Sequence, residues 1–160
     1  MKIFSIRWTV VSVFIFFFIF QPQSIKQSWA SEESQFRKAQ ELVGNMVSKY
    51  PDLVRLTIHA VPAGEDASRI IACNIKDKIG KLSDPEDLEA MKTGETIVLR
   101  EGDNLDVTAP IWNKAGKPIA ATGITLRLGK DETESDVVKK ATAIAKELNT
   151  AIQNTKKPLW

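Results

Sequence analysis

Five strand-like segments, divided into a pair and a trio by one short helix signal, constrain the fold of this chain more than any other feature. In residues 53–61 apolar and polar side chains alternate, which is typical of a half-buried strand. Turns rich in Gly, Pro, Asn and Asp separate neighbouring segments, so we expect antiparallel neighbours. The sequence therefore predicts one antiparallel sheet of about five strands. The other four predicted strands are residues 69–74, 95–101, 105–112 and 118–128.

Two longer helical patterns flank this sheet. In residues 31–50 apolar side chains recur every three or four positions, with Ser31 as a suitable N-cap and Pro51 as the stop. Residues 133–154 show the same spacing. Both helices are amphipathic and must bury their apolar stripes against the sheet or each other. The sequence thus predicts an α+β fold with long N-terminal and C-terminal helices.

A short helix separates the two groups of strands. The tetrapeptide S-D-P-E at residues 83–86 offers a capping side chain, a proline in the first turn and acids at the positive end of the helix. We expect a helix over residues 85–91, ended by Gly94. Residues 31–154 then form a single domain, and residues 155–160 form a C-terminal tail.

The N-terminal segment, residues 1–30, has the three parts of a secretory signal peptide. Lys2 and Arg7 make a positive start, and residues 8–20 are apolar apart from one Thr and one Ser. A polar stretch and the tripeptide S-W-A follow, which predicts cleavage before Ser31. An uncleaved membrane anchor is the alternative. A helix over the apolar run would rise about 20 Å, less than the roughly 30 Å hydrocarbon core. We therefore expect a periplasmic or secreted protein.

The charge balance argues against an anionic macromolecular partner. The chain has 22 Lys and Arg against 20 Asp and Glu, but three of the basic residues lie in the predicted leader, where no acid occurs. The remaining chain carries 19 basic and 20 acidic residues, so we expect no nucleic-acid partner. We find no phosphate-binding, dinucleotide, zinc or haem-attachment motif and expect no cofactor. Since His59 is the only histidine, a His-based metal cluster is excluded.

Four stretches of this chain, taken in order, are similar to a known family. They are L-T-I-H-A-V-P at residues 56–62, R-I-I-A-C-N at 69–74, K-I-G-K-L-S-D-P-E-D at 78–87, and V-T-A-P-I-W-N-K-A-G-K-P-I-A-A-T-G-I-T-L at 107–126. Together they resemble the single Cache domains, which are extracytoplasmic PAS-like sensor domains. The resemblance covers roughly residues 42–128. It implies a PAS-like sheet and a ligand cavity beneath the short helix.

The resemblance also has two departures. Cache domains usually lie between membrane helices and feed an output domain, whereas we expect neither a second membrane span nor an output domain here. The aromatic and basic residues that pocket families use for amino acids or carboxylates are sparse, so no ligand residue is carried over from the family.

These observations favour an exported, non-catalytic, sensor-type module that binds a small polar ligand. It would signal by docking to a membrane receptor or envelope protein, and its terminal helices could form a homodimer. Arg55 and His59 share one face of the first strand, and Asp106 and Thr108 alternate on the fourth. The full set of candidate ligand-binding residues is Arg55, His59, Asn74, Asp77, Asp106, Thr108 and Trp112.

Three other interpretations remain open at the level of sequence. The first is a structural or protein-interaction module whose pocket is filled by side chains. The second is a thiol or redox enzyme that uses Cys73 with His59, because a hairpin would bring the two strands together. The third is a haem-binding variant of the sensor with His59 as an axial ligand. His59 could also have a purely structural role, as a hydrogen-bonded histidine in a strand.

Overall fold

The computed structural model describes residues 36–156 and 159–160; the predicted leader and its cleavage site lie outside these residues. Three α-helices, five β-strands and one 3₁₀ turn occur within the described ranges. In chain order they are α1 (Arg37–Lys49), β1 (Leu53–Ala60), β2 (Arg69–Cys73), the 3₁₀ turn (Lys76–Lys78), α2 (Pro85–Thr93), β3 (Ile97–Glu101), β4 (Asn104–Trp112), β5 (Pro118–Arg127) and α3 (Glu134–Gln153).

The strands form one antiparallel sheet with the order β2-β1-β5-β4-β3. This confirms the predicted five-stranded sheet and the α+β class. The two groups of strands meet where β1 pairs with β5, so β5 is the central strand and β1 lies beside it. The chain between β2 and β3 therefore crosses the sheet, and α2 lies in this crossover.

One face of the sheet carries the apolar core. Helices α1 and α3 cover this face and bury their apolar stripes against it. The alternation seen in the sequence supplies the facing side chains, since every second strand residue points the same way. Core members that are fully buried include Leu56, Ile58, Leu105, Val107, Ile111, Ile124, Leu126, Ile144 and Leu148.

The predicted long N-terminal helix is not supported. Helix α1 has 13 residues, against 20 in α3, and residues 31–35 of the predicted helix lie outside the described part of the chain. The buried side chains of this helix are Ala39, Leu42, Val43 and Met46, and Phe36, just before the helix, is also buried in the core.

Helix α2 covers the opposite face of the sheet, over β4 and β5. It begins with a capping box between Asp84 and Asp87 and ends at Gly94, whose left-handed φ of 76° favours glycine. The ring of Trp112 packs against Gly94, where an added Cβ would lie 2.5 Å from the indole. The fold thus has three layers: α1 with α3, the sheet, and α2. None of the described helices is both long and apolar enough to span a bilayer.

Candidate functional site

The sheet face beneath the crossover is polar, although most of it is buried. Register across the sheet aligns its side chains in rows: Arg55 of β1, Thr125 of β5 and Asp106 of β4 form one row. Thr57, Gly123 and Thr108 form the next. We call this surface the polar face. Its threonines and Asp106 are exposed by 6% or less. Buried polar groups are costly unless they are hydrogen-bonded, so the network that satisfies them decides what the site can do.

A guanidinium–carboxylate contact closes one end of the polar face. Arg55 Nη2 donates to Asp106 Oδ2 over 3.1 Å and reaches the carboxylate oxygens of Glu101 at 3.4 and 3.5 Å. The hydroxyl of Thr125 donates to Asp106 Oδ1 over 2.7 Å. Asp106 is therefore held from two sides, while the Arg55 side chain keeps 22% of its surface exposed.

A second network ties the crossover to the sheet. His59 Nδ1 lies 3.0 Å from Asp87 Oδ2 of α2 and 3.1 Å from Ser83 Oγ. Ser83 Oγ in turn lies 2.8 Å from Ser68 Oγ, at the approach to β2. The other ring nitrogen, His59 Nε2, lies 2.8 Å from Thr57 Oγ1. Both nitrogens of this histidine thus have partners within the protein.

Burial drives the two members of this pair in opposite directions. It lowers the pKa of His59 from 6.5 to about 4, although the charges of Asp84 and Asp106 oppose the change. Burial also raises the pKa of Asp87 from 3.8 to about 7, and the nearby acids, Glu86 among them, add to this. At mildly acid pH the neutral imidazole of His59 and the neutral carboxylic acid of Asp87 are therefore favoured. Asp87 then carries the proton and can donate it to Nδ1, and the Nε2 hydrogen is donated to Thr57.

Gly123 leaves the space at the centre of the polar face into which the Thr57 hydroxyl fits. The backbone N–H of Gly123 donates to Thr57 Oγ1 over 3.1 Å, and that hydroxyl donates to the Gly123 carbonyl over 3.3 Å. A Cβ on Gly123 would lie 2.7 Å from Thr57 Oγ1 and within 4 Å of both His59 Nε2 and Asp106 Oδ1. Three polar side chains therefore converge on this one glycine.

Gly123→Ala is expected to lower the free energy of unfolding by about 1–2 kcal/mol, because the added methyl overpacks a closed site. Adding Thr57→Ala removes the clashing hydroxyl, so the double variant should lose less than the sum of the two single variants. Urea denaturation of all four proteins measures this coupling. Strictly additive losses would contradict the contact between these two residues.

The structure brings four of the seven predicted site residues to the polar face. These are Arg55, His59, Asp106 and Thr108, of which all but the half-buried Arg55 are buried. Asn74 lies apart from them and stabilises β1 instead: its amide donates to the Val54 carbonyl and its oxygen accepts from the Leu56 N–H.

Asp77 and Trp112 are also outside this cluster. Asp77 is exposed in the 3₁₀ turn. A β-bulge between Ile111 and Trp112 interrupts the alternation, and the indole lies against Gly94 at the far end of α2. Trp112 therefore borders the crossover helix rather than the polar network.

Several members of the face were missed in the sequence. Thr57, Gly123 and Thr125 follow from the same alternation that selected Arg55 and Asp106, so the signal was present. Asp87 lies in the first turn of the short helix, where an acid stabilises the positive end, so the sequence indicates only that local role for it. It does cap the helix, since Asp87 Oδ2 accepts from the Asp84 N–H at 3.0 Å, but it also contacts His59. That second contact depends on how α2 sits on the sheet.

Cys73 does not pair with His59 in the strand register. Cys73 lies opposite Thr57, whereas His59 lies opposite Ile70. The thiol is buried, and burial raises its pKa, although the Ile75 N–H that donates to Sγ over 3.2 Å opposes this change.

A neutral alkylating reagent should leave Cys73 unmodified in the folded protein at pH 7 and label it fully in urea. The buried thiol with its raised pKa is the reason for this expectation. Intact mass measurement reads out the label. Rapid labelling of the folded protein would contradict the burial and revive the thiol-enzyme interpretation.

Two further features bear on ligand chemistry. Across residues 36–156 and 159–160, no three His, Cys, Asp or Glu side chains are grouped so that they could hold a metal ion. A groove of about 450 Å³ lies on the outer surface of α3, lined by residues such as Lys146 and Thr150. This groove is on the other side of the sheet from the polar face.

Comparison with solved structures identifies the fold. The GAF domain region of a Geobacter sulfurreducens PCA protein is 12% identical, has a TM-score of 0.54, and covers 83% of this chain and 99% of its own. A GAF domain of A. aeolicus in an inactive state is 12% identical, with a TM-score of 0.51 and coverage of 74% and 93%. The GAF domain of a two-component sensor histidine kinase from Bacillus halodurans is 17% identical, with a TM-score of 0.50 and coverage of 71% and 92%.

These similarities show a PAS/GAF-like fold, which confirms the coarse prediction of a PAS-like sheet. The neighbours are GAF domains, so the finer assignment to Cache domains is not supported. No protein-family model matches the sequence. No curated protein matches it either.

Proposed function

We propose that this protein is a sensor-type module that binds a small polar ligand on the polar face, beneath the crossover helix α2. The PAS/GAF-like fold supports this proposal at the level of architecture, because solved structures with this fold include the GAF domain of a sensor kinase. The function itself must be argued from the site. We further propose that the module is non-catalytic.

The observation that carries the proposal is the buried polar face itself. Apolar side chains would stabilise a buried sheet face at least as well as polar ones, because the attraction within a buried ion pair seldom exceeds the free energy lost when its charges leave water. Here Arg55, Asp106 and His59 lie on the sheet face opposite the apolar core, and His59 contacts Asp87 of α2. Convergent polar groups in an enclosed place are what a small-ligand site requires.

Few side chains of the crossover helix are buried against the sheet. Of the side chains of α2, Asp87 and Ala90 are the buried ones, whereas Leu88 is 47% exposed. The buried contacts of the helix with the sheet thus combine one polar and one apolar side chain. A ligand that supplies its own donors and acceptors could exchange with these contacts at little net cost.

A thermal-shift and calorimetric screen of pooled amino acids, carboxylates, amines and purines tests the proposal. We expect one class to bind saturably, and Thr108→Val on the polar face to weaken that binding at least tenfold. Thr142→Val, the same change on exposed α3, is the matched control and should have no effect. If nothing in the screen binds, or both variants bind equally well, the proposed site is wrong.

We propose that the module works outside the cytoplasm and passes its signal to a membrane receptor or another envelope protein. The leader-like pattern of residues 1–30 supports export. N-terminal sequencing of protein recovered from the periplasm should begin at Ser31. An intact Met1 on the exported protein would favour a retained anchor.

A filled, ligand-free interaction module is the second candidate. The hydrogen-bond networks of the polar face favour this candidate, since both nitrogens of His59 and both oxygens of Asp106 already have partners within the protein. In that case no compound in the ligand screen binds. A pull-down from envelope extract would capture the same partner with the wild type and with His59→Ala.

A further inference from the structure

The Arg55 guanidinium contacts Asp106 on the polar face in the way that a bound cationic ligand would. Its side chain starts on β1, passes over Thr125 of β5, and ends at Asp106 of β4. Two strand spacings separate the outer strands, or about 10 Å. A long side chain therefore spans the polar face and fills the row that would otherwise stand open above Thr125.

The contacts of this guanidinium are one-sided. All three end on Nη2: one to Asp106 Oδ2 at 3.1 Å and two to Glu101 at 3.4 and 3.5 Å. Arginine and carboxylate are held most strongly through two parallel hydrogen bonds from two nitrogens. The pairing seen here lacks that geometry, and Arg55 is 22% exposed, so the side chain has a route to solvent.

The surroundings of the guanidinium favour a cation and disfavour an anion. Asp106 and Glu101 face it directly, and the charge of Asp84, the N-cap of α2, acts on the neighbouring His59. His59 is the other basic group on the face, and its lowered pKa leaves it uncharged at pH 7. A carboxylate ligand that approached Arg55 would meet these acids, whereas an amine or guanidinium would be attracted by them.

We propose that Arg55 occupies, in this closed form, the place of a small organic cation, and that an amine or guanidinium compound displaces it from Asp106. This inference rests on the proposed function and names the ligand class for the same site. Asp106 accepts the cation through Oδ2, while Thr125 holds Oδ1 and fixes the carboxylate. Glu101 supplies the second negative charge at the rim of the site.

Removal of the internal guanidinium tests the inference. Methylguanidinium and its neutral isostere N-methylurea are titrated into the wild type and into Arg55→Ala at matched ionic strength. We expect Arg55→Ala to bind methylguanidinium at least tenfold more tightly than it binds N-methylurea. It should also bind at least tenfold more tightly than the wild type, whose own arginine competes. Equal binding of the two probes would overturn the inference, as would equal affinity in both proteins.

A matched pair of carboxylate variants locates the binding. Adding Asp106→Asn to Arg55→Ala should weaken the binding of methylguanidinium at least tenfold. Asp103→Asn, an exposed change in the adjacent turn, should not alter it. If Asp106→Asn has no effect, the cation is bound elsewhere and the inference fails. Should Arg55→Ala prove unfolded by circular dichroism, Arg55→Gln takes its place in the same measurements.

These outcomes separate the inference from the function on which it rests. A wild-type protein that binds an anionic or neutral compound on the polar face supports the proposed function and contradicts the cation. Methylguanidinium binding to Arg55→Ala, when no compound of the ligand screen binds the wild type, would show a cation site at Asp106 but contradict both the displacement of Arg55 and the proposed function.

Discussion

Asp106→Ala is expected to lower the free energy of unfolding by about 2–4 kcal/mol, because it leaves the partly buried Arg55 and the buried Thr125 without their main partner. Removal of the whole network should behave differently. Arg55→Met, Asp106→Leu and Thr125→Val together replace three polar side chains with apolar ones of similar size. We expect this triple variant to lie within about 1 kcal/mol of the wild type or to exceed its stability.

Chemical denaturation with a two-state fit measures both changes. The exposed ion pair of Arg100 with Glu134 provides the control, since Arg100→Met with Glu134→Leu should alter stability by less than about 1 kcal/mol. If the triple variant loses as much as Asp106→Ala, the network is needed for folding. The case for a functional polar face would then be lost.

Asp87→Asn and His59→Gln are expected to give opposite dependences of stability on pH. In the wild type the unfolded chain protonates His59 near pH 6.5, but the folded protein does so only near pH 4. The contribution of this histidine to stability therefore rises as pH rises through that window. Asp87 keeps its proton in the folded protein up to about pH 7 and loses it near 3.8 when unfolded, so its contribution falls as pH rises.

The two slopes nearly cancel in the wild type between about pH 4 and 6.5. With Asp87→Asn only the histidine slope remains, and stability should rise with pH by roughly 1 kcal/mol per unit. With His59→Gln only the aspartate slope remains, and stability should fall by a similar amount. Denaturation midpoints at a series of pH values read this out. Parallel pH profiles for the two variants would show that the pair is not buried as described.

The sequence carried most of the information about which strand residues share a face. Alternation placed Arg55 and His59 together on β1, and Asp106 with Thr108 on β4, because side chains on a strand alternate strictly. At Trp112 a bulge shifts the register by one residue, and the indole lies against Gly94 at the end of α2 rather than in the polar network. A bulge of this kind leaves no clear mark in a single sequence.

Contacts made between elements could not be read in the same way. Asp87 satisfies a local role as a helix cap, so nothing in its neighbours along the chain indicates its contact with His59. The predicted cavity is likewise an outcome of packing. Whether space remains beneath a crossover depends on the direction in which a long side chain, such as that of Arg55, lies across the sheet. For Arg55 this direction is set by partners that lie 46 and 51 residues further along the chain.

Hydrogen exchange with and without a compound from the screen tests the central claim most directly, because it reports where binding slows the opening of backbone amides. We predict slower exchange in α2 and in the facing stretches of β1 and β5, with the outer surface of α3 unchanged. Slowing confined to α1 and α3, or no change at any amide with a compound that binds saturably, would contradict a ligand site on the polar face.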